Sequence, residues 1–259
     1  MNSDKPLILV TNDDGVNAPG IKHLISIMIE FGDVVVVAPD SPQSGMGHAI
    51  TISQNLYCDP IKVDDGSHVK YSCSGTPVDC VKLATQQILT RKPDLCVSGI
   101  NHGSNSSINV IYSGTMSAAV EAGTEGIPAV GFSLLDYAID ADFSPTTPYI
   151  KQIVSTLLNH KTPEGMVLNV NFPKLQVKDI KGIKICRQAK AHWEEKYYKR
   201  QNPFGRDYYW LTGEFVNEDQ GEDTDEWALE NGYVSVVPVQ FDMTAYKHMD
   251  ALKSFNFES

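Results

Sequence analysis

The chain has 259 residues and a net charge of −11, from 21 Lys and Arg against 32 Asp and Glu. Its overall field repels polyanions, so the footprint of a duplex nucleic-acid binder is excluded, and a phosphorylated ligand would need local help such as a metal ion. Apolar residues make up 42% and charged residues 20%, and no apolar run nears the roughly 18 residues of a membrane-spanning helix. At roughly 100–200 residues per domain, this length predicts one large domain or a core with an appendage. The polar start Met1–Lys5 carries no basic, apolar leader, which reads as a cytoplasmic address.

Short apolar runs rich in Val, Ile or Leu recur at Leu7–Thr11, Val34–Ala38, Leu95–Ser98, Ala129–Ser133 and Val167–Val170. They suit strands buried on both faces of a parallel sheet. Between them, Pro19 with Ile21, Leu24, Ile25, Met28 and Ile29 has helical spacing. So does Thr76-Pro77 with Val78, Val81, Leu83 and Ile88, behind a Thr cap. Ser113–Glu125 and Thr147–Asn159 supply two more helices. The alternation predicts a three-layer α/β/α, Rossmann-like core with a mostly parallel sheet and ligands beyond the carboxyl ends of the strands. After about Lys174, the segments Ile183–Arg187, Tyr208–Thr212 and Tyr233–Val237 alternate or carry aromatics, separated by polar stretches. They predict antiparallel hairpins outside a core of about residues 1–174, in an extension over about 175–259. Asn217–Glu226 is acidic enough to predict a mobile loop. The five cysteines, Cys58, Cys73, Cys80, Cys96 and Cys186, lack CxxC spacing and read as reduced core residues.

The strongest local signal is the buried run ending in Asn12, Asp13, Asp14 and Gly15. Two adjacent carboxylates at a strand end are costly unless a cation sits between them, and oxygen ligands suit Mg²⁺ or Mn²⁺. The bland alternative is a solvated Asp-Gly turn. Two further strand ends run into polar loops: Pro39–Gly47, with Ser44 and Gly45, and Gly99–Asn105, with Asn101 and His102. Ser113, Gly114 and Thr115 open a helix whose free N–H groups would welcome a phosphate. His48 and His102 are candidates for proton transfer or for capping alone. Gly45-Met-Gly47 lacks the third glycine of a dinucleotide fingerprint, and no Walker pattern, Gly-x-Ser-x-Gly or HExxH occurs.

The ordered set Val-Thr-Asn-Asp-Asp-Gly (10–15), Val-Ala-Pro-Asp (37–40) with Ser44-Gly45, Ser-Gly-Thr-Pro-Val-Asp-Cys-Val (74–81), Pro-Asp-Leu-Cys-Val-Ser-Gly-Ile-Asn (93–101) and Tyr-Ser-Gly-Thr (112–115) resembles the SurE family of survival-protein nucleotidases. Asn169–Pro173, Arg206–Trp210, Asp223–Asp225 and Gly232–Pro238 carry the resemblance through the rest of the chain. The resemblance implies a metal-dependent phosphatase of nucleoside 5′- and 3′-monophosphates, with some members also trimming short polyphosphate. It implies one Mg²⁺ or Mn²⁺ per subunit on Asp13, Asp14, Ser44 and Asn101. Phosphate would lie against Asn12, Gly45, Asn101 and Ser113–Thr115, and Asp13, Asp14 and Asn12 would be catalytic. Whether one aspartate activates water or attacks directly stays open. Two other readings stand beside this one: a broad acid phosphatase or exopolyphosphatase, and a nucleotide-binding module without turnover. The family's subunits pair, which implies a homodimer or homotetramer. The aromatic-rich segment from Ala191 to Glu230 is the candidate interface. Where many relatives carry arginines, this chain has Ser41, Pro42 and Gln43.

Overall fold

The computed structural model describes residues 5–255, so the polar start from which a missing leader is expected falls mostly outside the described residues. Strand β1 (Leu7–Thr11) is buried along its whole length. Leu7 and Leu9 face one apolar cluster and Ile8 and Val10 another, on opposite sides of the sheet. Both faces are therefore apolar, which is why the run shows no alternation. Strands β1, β2 (Asp33–Pro39), β4 (Val69–Cys73), β5 (Leu95–His102), β6 (Ala129–Leu134) and β7 (Val167–Phe172) run parallel. Strand β3 (Cys58–Ile61) pairs antiparallel with β4 at the sheet edge.

Helices α1 (Pro19–Met28) and α4 (Thr147–Asn159) cover one face; α2 (Pro77–Leu83) and α3 (Gly114–Thr124) cover the other. The predicted three layers are thus present. The start of α2 is a reciprocal cap, in which the Thr76 hydroxyl accepts from Asp79 N–H at 3.1 Å and the Asp79 carboxylate accepts from Thr76 N–H at 2.9 Å. Past Leu83 that helix widens into a π turn over Ala84–Ile88. Because β1 lies between β2 and β5, the chain leaves it to one side and later returns on the other. This switch in direction opens a crevice beyond the ends of β1 and β5.

The extension contains the expected antiparallel hairpin, but two of the segments assigned to hairpins lie elsewhere. Strands β8 (Ile183–Ile185) and β11 (Val234–Val239) join the main sheet beyond β7, with β11 antiparallel to β7 and parallel to β8. They are not separate hairpins, because β7 would otherwise present an open, apolar edge. Among the described residues the one separate ribbon is β9 (Ala191–Gln201) paired with β10 (Asp207–Asn217), and it takes in a stretch that its polarity marks as a loop. Nearly all of its residues are exposed. Trp193 roots it on the core by donating its ring N–H to Asn109 Oδ1 at 2.8 Å.

Asn217–Glu226 is not a free loop. The Arg187 guanidinium grips Asp219 at 2.6 Å and Asp223 at 2.9 Å, and Asp225 is buried. Asp225 opens α5 (Asp225–Glu230), where Trp227 stacks on Tyr233 instead of joining the ribbon. A further helix, α6 (Tyr246–Lys253), is not expected from the sequence and buries none of its residues. No helix among the described residues is long and apolar enough to cross a membrane.

Candidate active site

The site starts where β1 ends. Asn12 and Asp13 are buried there, and Asn12 Nδ2 donates to Gly15 O at 3.0 Å, closing the turn. Gly15 holds φ +98°, a conformation that a side chain would strain. The loop after β2 lies across this turn: Val16 N–H donates to Pro39 O and Gln43 N–H to Asp13 O, both at 2.7 Å. Further on, Gly47 N–H reaches Tyr112 O at 3.2 Å. Ser44 and Gly45 are thereby bracketed between the aspartate turn and the approach to α3.

Asp13 meets α3 directly. Its Oδ1 accepts the Thr115 hydroxyl at 2.5 Å. Gly114 passes so close that an added Cβ would lie 2.7 Å from Asp13 Cβ and 2.9 Å from its Oδ2. Burial pushes the Asp13 carboxyl up to about 6; the Thr115 hydroxyl opposes that rise and the neighbouring Asp14 charge adds to it. Ser113 caps α3 by accepting from Met116 N–H at 3.0 Å, and the hydroxyl proton remains for another acceptor.

Asp14 faces the other strand of the crevice, where its Oδ2 lies 3.2 Å from His102 Nδ1. A one-residue bulge between Ser98 and Asn101 bends β5 toward it. Gly99, at φ +130°, makes the bend; a Cβ there would sit 2.4 Å from Phe132 O. Asn101 commits its NH₂ to His102 O at 3.1 Å and Gly103 O at 2.9 Å. Its oxygen is the end left for a cation, while the amide protons that a phosphate would need are taken. His102 packs edge-on against Phe143, 5.0 Å between ring centres.

The donor set fits a hard divalent cation. Burial and the neighbouring Asp14 charge raise the cost of ionising Asp13, the buried Asn12 Oδ1 has no hydrogen-bond partner among the described residues, and the Asn101 NH₂ is engaged by two carbonyls, which leaves its oxygen for a cation. No three His, Cys, Asp or Glu converge on one point among the described residues. A cation here would therefore use two carboxylates completed by neutral oxygens.

The model of the family described as "Survival protein SurE" matches residues 8–195. This chain belongs to the SurE family. A protein named 5′-nucleotidase SurE from Christiangramia forsetii is 69% identical over 257 residues, covering 99% of both chains. A second of that name, from Flavobacterium johnsoniae, is 69% identical over 98% of each. The crystal structure of the SurE protein from Aquifex aeolicus superposes with a TM-score of 0.83 at 41% identity, covering 96% of this chain and 99% of that one.

Within this SurE fold, Asp13 meets Thr115 and Gly114 at the start of α3, Asp14 meets His102 beside Asn101 on β5, Asn12 closes the turn between them, and Gly45 lies beside Tyr112, just before Ser113. Ser44 is carried there by its neighbours. His48 stands apart, with its Nε2 at 2.8 Å from Glu121 Oε2 on α3, and Glu121 is also paired with Lys82. Nothing in the sequence marks Phe143 behind His102, and the Asp223–Asp225 match does not reveal what Asp225 does: it accepts the N–H groups of Ser107 and Ala189, each at 2.8 Å, beneath the approach to α3. A buried Asp looks like any other in sequence, and its partners are more than thirty residues away.

Proposed function

We propose that this chain is a metal-dependent 5′-nucleotidase that hydrolyses nucleoside 5′- and 3′-monophosphates to nucleoside and phosphate. The observation that carries the reading is the packing of Asp13 and Asp14 against the first turn of α3: a pair of carboxylates beside a phosphate-binding helix end is useful only around a cation. When bound, a single Mg²⁺ or Mn²⁺ on Asp13, Asp14, Ser44 and Asn101 supplies neutralising charge to the phosphoryl oxygens and lowers the pKa of water.

The chain's own groups divide the remaining work. Ser113 Oγ–H and the leading N–H groups of Gly114 and Thr115 hold phosphate oxygens, because the first N–H groups of a helix have no acceptor within it. Gly45 lets the phosphate approach the loop backbone, and Asn12 keeps the turn closed. Asp13, locked by the Thr115 hydroxyl, holds position. Asp14 is partly open to solvent, with His102 behind it, and it orients the attacking water and takes its proton. The nucleoside lies in a cavity of about 390 Å³ that opens beside Gly45 between Tyr112, Trp193 and Leu211; its aromatic walls suit a base.

The test is phosphate release from AMP, 3′-AMP, phenyl phosphate and tripolyphosphate, after EDTA dialysis and again with Mn²⁺ or Mg²⁺. Expected are activity on both nucleotides that requires the metal, a loss of at least about 10²-fold in turnover for Asp14→Asn, and a raised KM for AMP but not phenyl phosphate in Tyr112→Ala. Full turnover of AMP in EDTA would overturn the metal role, and preference for phenyl phosphate or tripolyphosphate would overturn the nucleotide role.

A further inference from the structure

Three of the five cysteines meet at the sheet edge, away from the aspartate turn. Cys58 on β3 and Cys73 on β4 are directly opposed. The adjacent pair identifies the kind of position they occupy. Ser74 N–H donates to Tyr57 O at 2.9 Å, and Tyr57 N–H is taken by the Ser74 hydroxyl at 3.0 Å. Tyr57 and Ser74 therefore form the hydrogen-bonded pair, and Cys58 and Cys73 form the non-hydrogen-bonded pair beside it. In such pairs the Cα atoms lie about 4.5 Å apart and both side chains project from the same face. That separation falls within the roughly 4.4–6.8 Å that a disulfide spans.

Hydrogen bonding distinguishes the two sulfurs. Cys73 Sγ accepts Gly75 N–H at 3.4 Å and also the thiols of Cys80 and Cys58. Donors converging on one sulfur stabilise its thiolate, and the bond from Cys80 is the largest influence pulling Cys73 down to about 7. Burial pushes Cys58 up to about 11. Cys58 is half-buried on the edge strand, while Cys73 opposite it is buried, so a small solute reaches the pair from the Cys58 side. Cys96, fully buried, is pushed up to about 12.

We propose that Cys58 and Cys73 are a peroxide-responsive dithiol, which closes into a disulfide across the β3–β4 edge while the other three cysteines stay reduced. The Cys73 thiolate attacks one oxygen of hydrogen peroxide, the O–O bond breaks, and the departing hydroxide takes a proton from solvent to become water. Cys58 sulfur then attacks the Cys73 sulfenic sulfur; the S–O bond breaks, and the oxygen leaves as a second water with the Cys58 proton. Two thiols are oxidised by two electrons and one peroxide is reduced to two waters. The Cys73 carbonyl accepts Asp40 N–H at 2.8 Å, so the crosslink braces the strand end from which the Ser44 loop departs.

The test treats the folded full-length protein with hydrogen peroxide near neutral pH, alkylates the remaining thiols and maps the peptides by mass spectrometry. The expected result is one dithiothreitol-reversible peptide pair joining Cys58 to Cys73, lighter by two hydrogens, with Cys80, Cys96 and Cys186 alkylated as before. The melting temperature should rise on oxidation in the wild type but not in Cys58→Ser, where dimedone should instead trap Cys73 as its sulfenic acid. A Cys73–Cys80 link, a link between chains, or five alkylatable thiols after peroxide would each overturn the proposal.

Discussion

Replacing Asp13 with Asn should stabilise the protein when no metal is present. In the fold the Asp13 carboxyl stands at about 6 against an ordinary 3.8, mainly because it is buried. A folded-state pKa above the unfolded one means that the protonated form is favoured: the contribution is fully present below about 3.8 and is lost as the pH rises through about 6. At pH 8 the ionised side chain therefore costs about 3 kcal/mol of stability. Asn carries no charge and keeps an oxygen to accept the Thr115 hydroxyl. In EDTA at pH 8, Asp13→Asn should be the more stable protein by up to about 3 kcal/mol, a rise of about 5–10 °C in Tm for a domain of this size. The advantage should shrink as the pH is lowered toward 4. With Mn²⁺ the order should invert, because the wild type gains binding energy that the variant has lost. Urea unfolding at several pH values, with and without Mn²⁺, measures all of this. A variant no more stable than wild type at pH 8 in EDTA would refute the reasoning.

Gly114→Ala places a methyl 2.7 Å from Asp13 Cβ, so the carboxylate must move; steady-state kinetics should give a loss of about 10–100-fold in kcat/KM for AMP, and calorimetry weaker Mn²⁺ binding. Asp225→Ala leaves the N–H groups of Ser107 and Ala189 buried without their acceptor, which should cost about 2–5 kcal/mol in urea unfolding, whereas Asp225→Asn should cost less. Light scattering at micromolar concentration should give a multiple of 28.5 kDa, because the ribbon and α6 expose Tyr197, Tyr209, Trp210 and Met249; a monomer mass would mean that these faces stay in water.

What could be read from the sequence was what depends on neighbours along the chain. The buried run Leu7–Thr11, the Pro19 start of α1, and the Ser113 cap of α3 are local signals and stand where expected. β3 and β4 escaped because Cys-Asp-Pro-Ile and Val-Lys-Tyr-Ser-Cys are too polar for buried strands; β3 is the edge strand, where Pro60 forfeits no needed N–H, and β4 is the next one in. β8 and β11 alternate as an exposed hairpin would, and only their pairing beside β7 reveals the sheet they belong to. At the site, the turn Asn12–Gly15 carries its own signal. The hold of Thr115 on Asp13, 102 residues away, and of His102 on Asp14, 88 residues away, follows from the order of strands, which no local spacing encodes. Arg187 with Asp219 and Asp223 turned an apparently loose acidic stretch into a fixed one for the same reason.

The β9–β10 ribbon has no core of its own beyond its root at Trp193, and a two-stranded ribbon in water is at best marginally stable. Its outer half must be ordered by something that covers it. If that cover is another copy of the same chain, mass action makes its folding depend on the amount of protein present. Dilution would then do locally what heat does globally, fraying the tip around Phe204 while the sheet and the aspartate turn remain intact. The turn at Asn202–Arg206 would be open to proteases in scarce protein and closed to them in abundant protein, so the chain's lifetime would carry a record of its own concentration.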